Sequence, residues 1–300
     1  MYFNRESLLL VEIFNVIAPV FCCALIGYIW GKSTADYPTE FVSKLVFNIA
    51  APCLIVSSIG QVALSAESLW QMAAGTALAL LIMTVLSVSI IKLSGHDIRT
   101  YLVSLVFPNV GNLGLPLAFF AFGEQGLALA VAYFMVISIA HFSIGMAVAT
   151  GEPLNLKTFL SNPIMWAILV AVIMVYGSYQ LPTWAANSVG LIGQVTIPLM
   201  LITLGVSLSG IKVNQWQKGL LYSVLRIVLG LFVALLVVEV LAIEGVARAV
   251  IILQGIMPVA VFNYLFALKS GRNVEEVASM VLISTLLVVL LLPPILFVLM

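Results

Sequence analysis

Charges and clusters of Gly, Pro and Asn cut this chain into apolar runs of nearly membrane-spanning length, and that division limits everything else it can fold into. A bilayer core of about 30 Å needs about 20 apolar residues per helix. On that ruler ten runs qualify: Leu9 to Trp30, Phe41 to Ile59, Leu69 to Ile91, Thr100 to Phe122, Leu127 to Thr150, Pro163 to Gln180, Asn187 to Ser209, Gly219 to Leu241, Ala247 to Leu268 and Val277 to Val298. Inside lipid a segment must bond its own backbone polar groups, so such runs become helices. Only 8% of residues are charged and mean hydropathy is +1.22, whereas soluble domains carry roughly a quarter charged residues. The expected fold class is therefore an all-α polytopic membrane protein with ten transmembrane helices.

Twelve basic and twelve acidic residues cancel, so no nucleic-acid partner is expected. The distribution of charge is more informative than its sum. Loops after odd-numbered runs hold Lys32, Lys92, Arg99, Lys157, Lys212, Lys218, Lys269 and Arg272, whereas the opposite side has Arg5 and Arg248. Basic residues are retained in the cytoplasm during insertion, which predicts basic loops inside and both termini outside. The first apolar run is too long for a signal-peptide core and is expected to be a first membrane helix. Cys22, Cys23 and Cys53 lie in apolar runs and form neither a disulfide framework nor a C-x-x-C pattern, so no metal or cofactor is expected.

The prolines disclose an internal repeat. Pro19, Pro52 and Pro108 are followed by Pro163, Pro198 and Pro258 at offsets of 144, 146 and 150 residues. The text around them agrees, with "NIAAPCLIVSSIG" in the second run beside "QVTIPLMLITLGV" in the seventh. Residues 1–155 and 156–300 thus read as two five-helix units. Because five is odd, the second enters the membrane from the other side, the inverted-repeat plan of many secondary transporters.

"FPNVGNLGLP", residues 107 to 116, interrupts the fourth run at mid-membrane, and "LQGIMPVAVFNYLF" interrupts its counterpart, the ninth. Proline removes an N–H and clashes with the preceding turn, while glycine admits backbone conformations that other residues avoid. Pro108, Gly111, Gly114, Pro116, Gly255 and Pro258 are therefore the expected helix-breaking residues. Non-helical backbone at this depth survives only where protein buries it or it lines a watery cavity. A half-helix that starts after a break presents unpaired N–H groups and the positive end of its dipole, which suits an anion. Asn109, Asn112, Gln254 and Asn263 would add neutral donors and acceptors, and are the candidate substrate-binding residues. An alternative role for such amides is to satisfy carbonyls freed by proline.

Two ionisable residues lie inside runs: Arg226 about two turns into the eighth and His141 in the fifth. An intramembrane charge is a functional-site hypothesis by default, so both are candidates for a charge or coupling role. Snorkelling of Arg226 to the interface and hydrogen-bonded packing of His141 are the competing readings. The GxxxG spacing of Gly27 and Gly31 supports a helix contact, and a homodimer is one form that contact can take. No H-E-x-x-H, G-x-S-x-G or Asp-rich cluster supports an enzyme.

At "FPNVGNLGLPL" the sequence resembles the auxin efflux carrier family, which includes plant pin-formed carriers and bacterial members described as malonate or malate permeases. The matched residues are Pro108-Asn109, Gly114 and Pro116-Leu117, supported by Asn48 and Pro52 in "LVFNIAAP", by "LQGIMP" and by the tail near "LLPP". The resemblance implies a bile-acid sodium symporter-like fold whose fourth and ninth spans cross at their prolines. It further implies a scaffold of spans one, two, six and seven, a transport core of spans three to five and eight to ten, and Asn109 at the substrate carboxylate. The expected protein is then a secondary carrier of a small organic anion in the inner membrane, working by an elevator-like movement. A ligand sensor that binds without transporting is the alternative.

Overall fold

The computed structural model describes residues 5–33, 36–62 and 64–300. The side chain of Arg5, counted above on the outer side, lies outside the described residues. Among the described residues eleven helices carry the fold: α1 (Arg5–Lys32), α2 (Thr39–Val62), α3 (Ala66–Leu93), α4 (Ile98–Val106), α5 (Val110–Thr150), α6 (Pro163–Gly177), α7 (Thr183–Gly210), α8 (Trp216–Val240), α9 (Gly245–Gly255), α10 (Val261–Ser270) and α11 (Val274–Leu299). A single turn at Leu156–Leu160 joins α5 to α6. Among the described residues seven of these helices, α1, α2, α3, α5, α7, α8 and α11, are long and apolar enough to cross a membrane, and α6 and α9 are shorter apolar helices. The chain is an all-helical membrane protein, with large apolar side chains such as Phe14, Trp70, Trp166, Leu191 and Leu290 turned outward.

Local chemistry explains where the helices begin and bend. Ser65 caps α3 by accepting from the Ser68 N–H at 3.0 Å. Asp97 caps α4 through the Thr100 N–H and hydroxyl at 3.1 and 2.6 Å, and Asn162 caps α6 just ahead of Pro163. Helix α2 widens into a π turn at Val46–Ala50, which ends two residues before Pro52. Its counterpart α7 interrupts at Val195, three residues before Pro198. Both deviations place a loosened turn where proline can supply no N–H.

Helix α5 runs for 41 residues, which at 1.5 Å per residue is about twice the bilayer core. It is not straight. Gly123 adopts φ 63° and ψ −155°, a conformation open to glycine, and folds the helix between Phe122 and Leu127, where the sequence separates its fourth and fifth runs.

Two groups of helices pack more within themselves than against each other. In the first, α1 lies along α7, and α2 lies along α6 and α7. A Cβ at Gly27 would run into the Ile202 backbone, one at Gly31 into Ser209, and one at Gly205 into the Ala24 carbonyl. The GxxxG stripe thus seats one helix on another of the same chain. The second group holds α3, α4, α5 and α8 to α11, with α8 along α11 through Gly219 on Ser279 and a Ser223 hydroxyl bond to the Met280 carbonyl at 3.1 Å.

Gly205→Ala is expected to force α1 from α7 and to cost about 1–3 kcal/mol. Gly210→Ala, whose Cβ would meet nothing within 4 Å, is expected to change stability by less than about 0.5 kcal/mol. Thermal unfolding of the two purified variants beside the parent protein checks the contrast; equal losses would contradict the packing described.

Candidate functional site

The two proline breaks meet. Residues 107–109, between α4 and α5, lie antiparallel to residues 258–260, between α9 and α10, with Pro108 opposite Val259. The Asn109 N–H donates to the Pro258 carbonyl at 2.7 Å, and the Ala260 N–H donates to the Phe107 carbonyl at 3.3 Å. The Val259 N–H donates to the Ser284 hydroxyl at 3.0 Å. From sequence the N–H groups of each break are expected to face a ligand; those of residues 109, 259 and 260 instead bond protein. In the first turns of α5 and α10 the Val110 N–H donates to the Pro108 carbonyl at 2.9 Å and the Asn263 N–H to the Ala260 carbonyl at 3.0 Å, which leaves the N–H groups of residues 111 and 112 and of 261 and 262 without an intrahelical acceptor.

The candidate amides separate into different roles. Asn263 uses both side-chain hydrogens on the Val103 and Phe107 carbonyls at 3.2 and 3.3 Å, and its Oδ1 meets His141 Nε2 at 2.7 Å. It therefore braces the end of α4 with a second hydrogen bond to each carbonyl, since Val103 also accepts from the Phe107 N–H at 3.0 Å and Phe107 from the Ala260 N–H. His141 is held by that bond and by stacking on Phe107 with centroids 4.5 Å apart, which is the packing role rather than an exposed titrating one.

Asn109 is different: it is 4% exposed, and its amide nitrogen has no partner among the described residues. Gln254 is fully buried, and neither of its side-chain polar atoms has a partner among the described residues. It lies across Gly114, where any Cβ would collide with its carboxamide. Gly111 lies where a Cβ would touch Met200 and Phe134. Gly255 sits against Gly230 and Ala234 of α8, and Pro116 falls in the first turn of the α-helical part of α5.

Arg226 is 2% exposed, so it does not snorkel. Its Nη2 donates to the Gly255 carbonyl at 3.1 Å, at the end of α9, where the helix dipole is negative.

A cleft of about 900 Å³, counting the open space at its mouth, lies beside the crossing, between α2 and α7 on one wall and α5 and α10 on the other. Asn112 lines it, with the hydroxyls of Thr39, Ser43, Thr203 and Ser207 and the rings of Phe47 and Phe262. Those two rings meet edge to face at 4.7 Å, so they join the two helix groups across the cleft. The cleft lies towards the start of α2 and the end of α7, the ends that adjoin Lys32 and Lys212. A second cleft, about 810 Å³, lies between the same two groups towards the other ends of α2 and α7, and includes Ser57, Gln61, Phe119 and Gln194. The hydroxyl-bearing walls are missing from the sequence argument. Their signal is Thr39 to Ser43 and Thr203 to Ser207, each pair four residues apart and so on one helix face.

Comparison with known proteins fits these observations. A family profile described as membrane transport protein matches residues 12–157 and, a second time, residues 148–296. The chain is 27% identical over 301 residues to an uncharacterized transporter of Methanothermobacter thermautotrophicus, covering 93% of this chain and 96% of that one. It is 24% identical over 291 residues to an uncharacterized transporter of Methanocaldococcus jannaschii, covering 90% and 94% respectively.

If Asn263 and His141 act together as a brace, Asn263→Ala and His141→Ala will each lower stability, and the double variant will lose less than the sum. A coupling of about 0.5–3 kcal/mol is expected for groups sharing a hydrogen bond. Thermal unfolding of the four proteins checks it, and strict additivity would contradict the brace.

Proposed function

We propose, on the premise that this chain belongs to the membrane transport protein family, that it carries a small organic anion, a carboxylate, by an elevator-like alternating-access movement with its site at the crossing. Family membership makes it a membrane transporter and not an enzyme. The observation that carries the finer reading is the buried amide nitrogen of Asn109, without a partner among the described residues and held at the helix break next to the first turn of α5. A free N–H donor beside the positive end of a helix dipole suits a carboxylate. Asn112, three residues on, links that point to the cleft.

On this reading α4 with the first leg of α5 makes the fourth crossing, the second leg the fifth, and α9 with α10 the ninth, ten in all. The halves 1–155 and 156–300 are then inverted repeats, a view supported by the twofold match of the family profile. Helices α1, α2, α6 and α7 form the frame, and the group bearing the crossing moves against it. The clefts at opposite ends of the boundary between the groups support that division, since each follows the surface along which sliding would occur. With the basic loops inside, the cleft at Asn112 faces the cytoplasm, both termini face outward, and the membrane is the inner (plasma) membrane.

Uptake of labelled malonate, malate and indole acetate into proteoliposomes, under separate sodium and proton gradients, tests the reading. Asn109→Ala is expected to lower saturable uptake by roughly tenfold or more, the cost of one hydrogen bond to a charged group, at unchanged abundance in the membrane. Uptake undiminished in Asn109→Ala would contradict the site. Binding of these anions by wild-type protein without uptake would favour a sensor instead.

A further inference from the structure

Behind the crossing lies a narrow internal cavity that shares no lining residue with either cleft. Its free space, about 20 Å³ and so room for one water-sized ion, lies among α3, α4, α5, α8 and α9, and Pro108 forms part of its wall. Arg226 and Tyr133 face it, and the remaining lining, including Leu80, Met83, Val233 and Ile251, is apolar.

The charge balance here is incomplete. Arginine keeps its proton in proteins, and a charge without a counter-charge inside a membrane-embedded bundle is strongly disfavoured. Arg226 is buried, yet among the described residues no carboxylate pairs with it. One of its nitrogens meets the Gly255 carbonyl, which offers only the partial charge of a helix end. Its Nε, buried and able to donate, has no partner among the described residues. A cation with a free donor thus borders a cavity that also has a tyrosine on its wall.

We infer that this cavity holds a resident monovalent inorganic anion of the halide class, paired with Arg226 and bordered by Tyr133. One guanidinium neutralises one negative charge, which selects against a dianion. Apolar walls suit a small, weakly hydrated ion over one that needs many hydrogen bonds. Such an ion would fix α8 against the end of α9 directly behind the Pro108 break. This inference is separate from the carrier reading: it concerns a second site, and its test reads binding and not uptake.

The test uses the full chain purified in detergent, with chloride exchanged for gluconate at constant ionic strength. Chloride is expected to raise the unfolding midpoint saturably, by roughly 5 °C at a hundredfold excess over its dissociation constant. Arg226→Met is expected to abolish that dependence, and Tyr133→Phe to raise the half-saturating chloride concentration by about tenfold. If Arg226→Met does not fold, the Tyr133→Phe shift and an anomalous bromide peak within hydrogen-bond reach of Arg226 Nε decide the matter. Equal midpoints in chloride and gluconate, with no bromide peak, would overturn the inference. Stabilisation by malonate but not by chloride, lost in Arg226→Met, would also overturn it and make the cavity an organic carboxylate site.

Discussion

The reciprocal backbone hydrogen bonds between residues 107–109 and 258–260 set the terms for the rest of this structure. A proline-broken helix leaves polar backbone groups at a depth where lipid can satisfy none of them. Each buried group left unpaired costs about 1–3 kcal/mol. A single broken helix would need a partner at its break, and the second broken helix supplies one. That requirement couples the two halves of the chain: neither α4 with α5 nor α9 with α10 can hold its break alone. The supports then differ between the halves, since Asn263 bonds the carbonyls at the end of α4 and Arg226 bonds the last carbonyl of α9.

Around this centre the packing is of two kinds. Within the group of α1, α2, α6 and α7, glycines bring helix backbones into direct contact, as where Gly205 meets Ala24 and Gly27 meets Ile202. Small residues at such contacts let dispersion attraction act over a long, closely matched seam. Where this group faces the crossing, contacts instead leave clefts of about 900 and 810 Å³. Close helix seams thus lie within the groups and clefts lie between them.

Much of this was legible in the sequence because it follows from composition and from residues with one dominant physical effect. Pro108 and Pro258 mark the breaks because proline cannot continue the hydrogen-bond ladder. Seven of the apolar runs, the first three, the sixth to eighth and the tenth, each mark one helix within about four residues, whereas the fourth and ninth are divided and the fifth shares α5; "FPNVGNLGLPL" points to the family that the profile match establishes. Other features were hidden because they depend on partners distant in the chain. Asn263 reads as a ligand-binding amide until the Val103 and Phe107 carbonyls, about 160 residues earlier, are brought to it. Gly27 and Gly31 read as a helix contact, but the spacing does not say that the partner is α7 of the same chain. Arg226 looks close enough to the interface to snorkel, but its depth is set by α9 and α5 packing around it. A lone Gly123 gives no hint in sequence that α5 folds there without a loop.

The central claim is that the group carrying the crossing moves as a unit against the frame of α1, α2, α6 and α7. The most direct measurement is electron-paramagnetic distance determination between spin labels in lipid nanodiscs, with Cys22, Cys23 and Cys53 replaced. One label pair spans the groups, at Lys44 of α2 and Leu268 of α10; the other lies within the moving group, at Gln217 of α8 and Leu268. The account predicts two distance populations for the first pair, shifted in proportion by a bound carboxylate, and one unchanging population for the second. A single fixed distance between Lys44 and Leu268 under all conditions, or equal spread in both pairs, would contradict it.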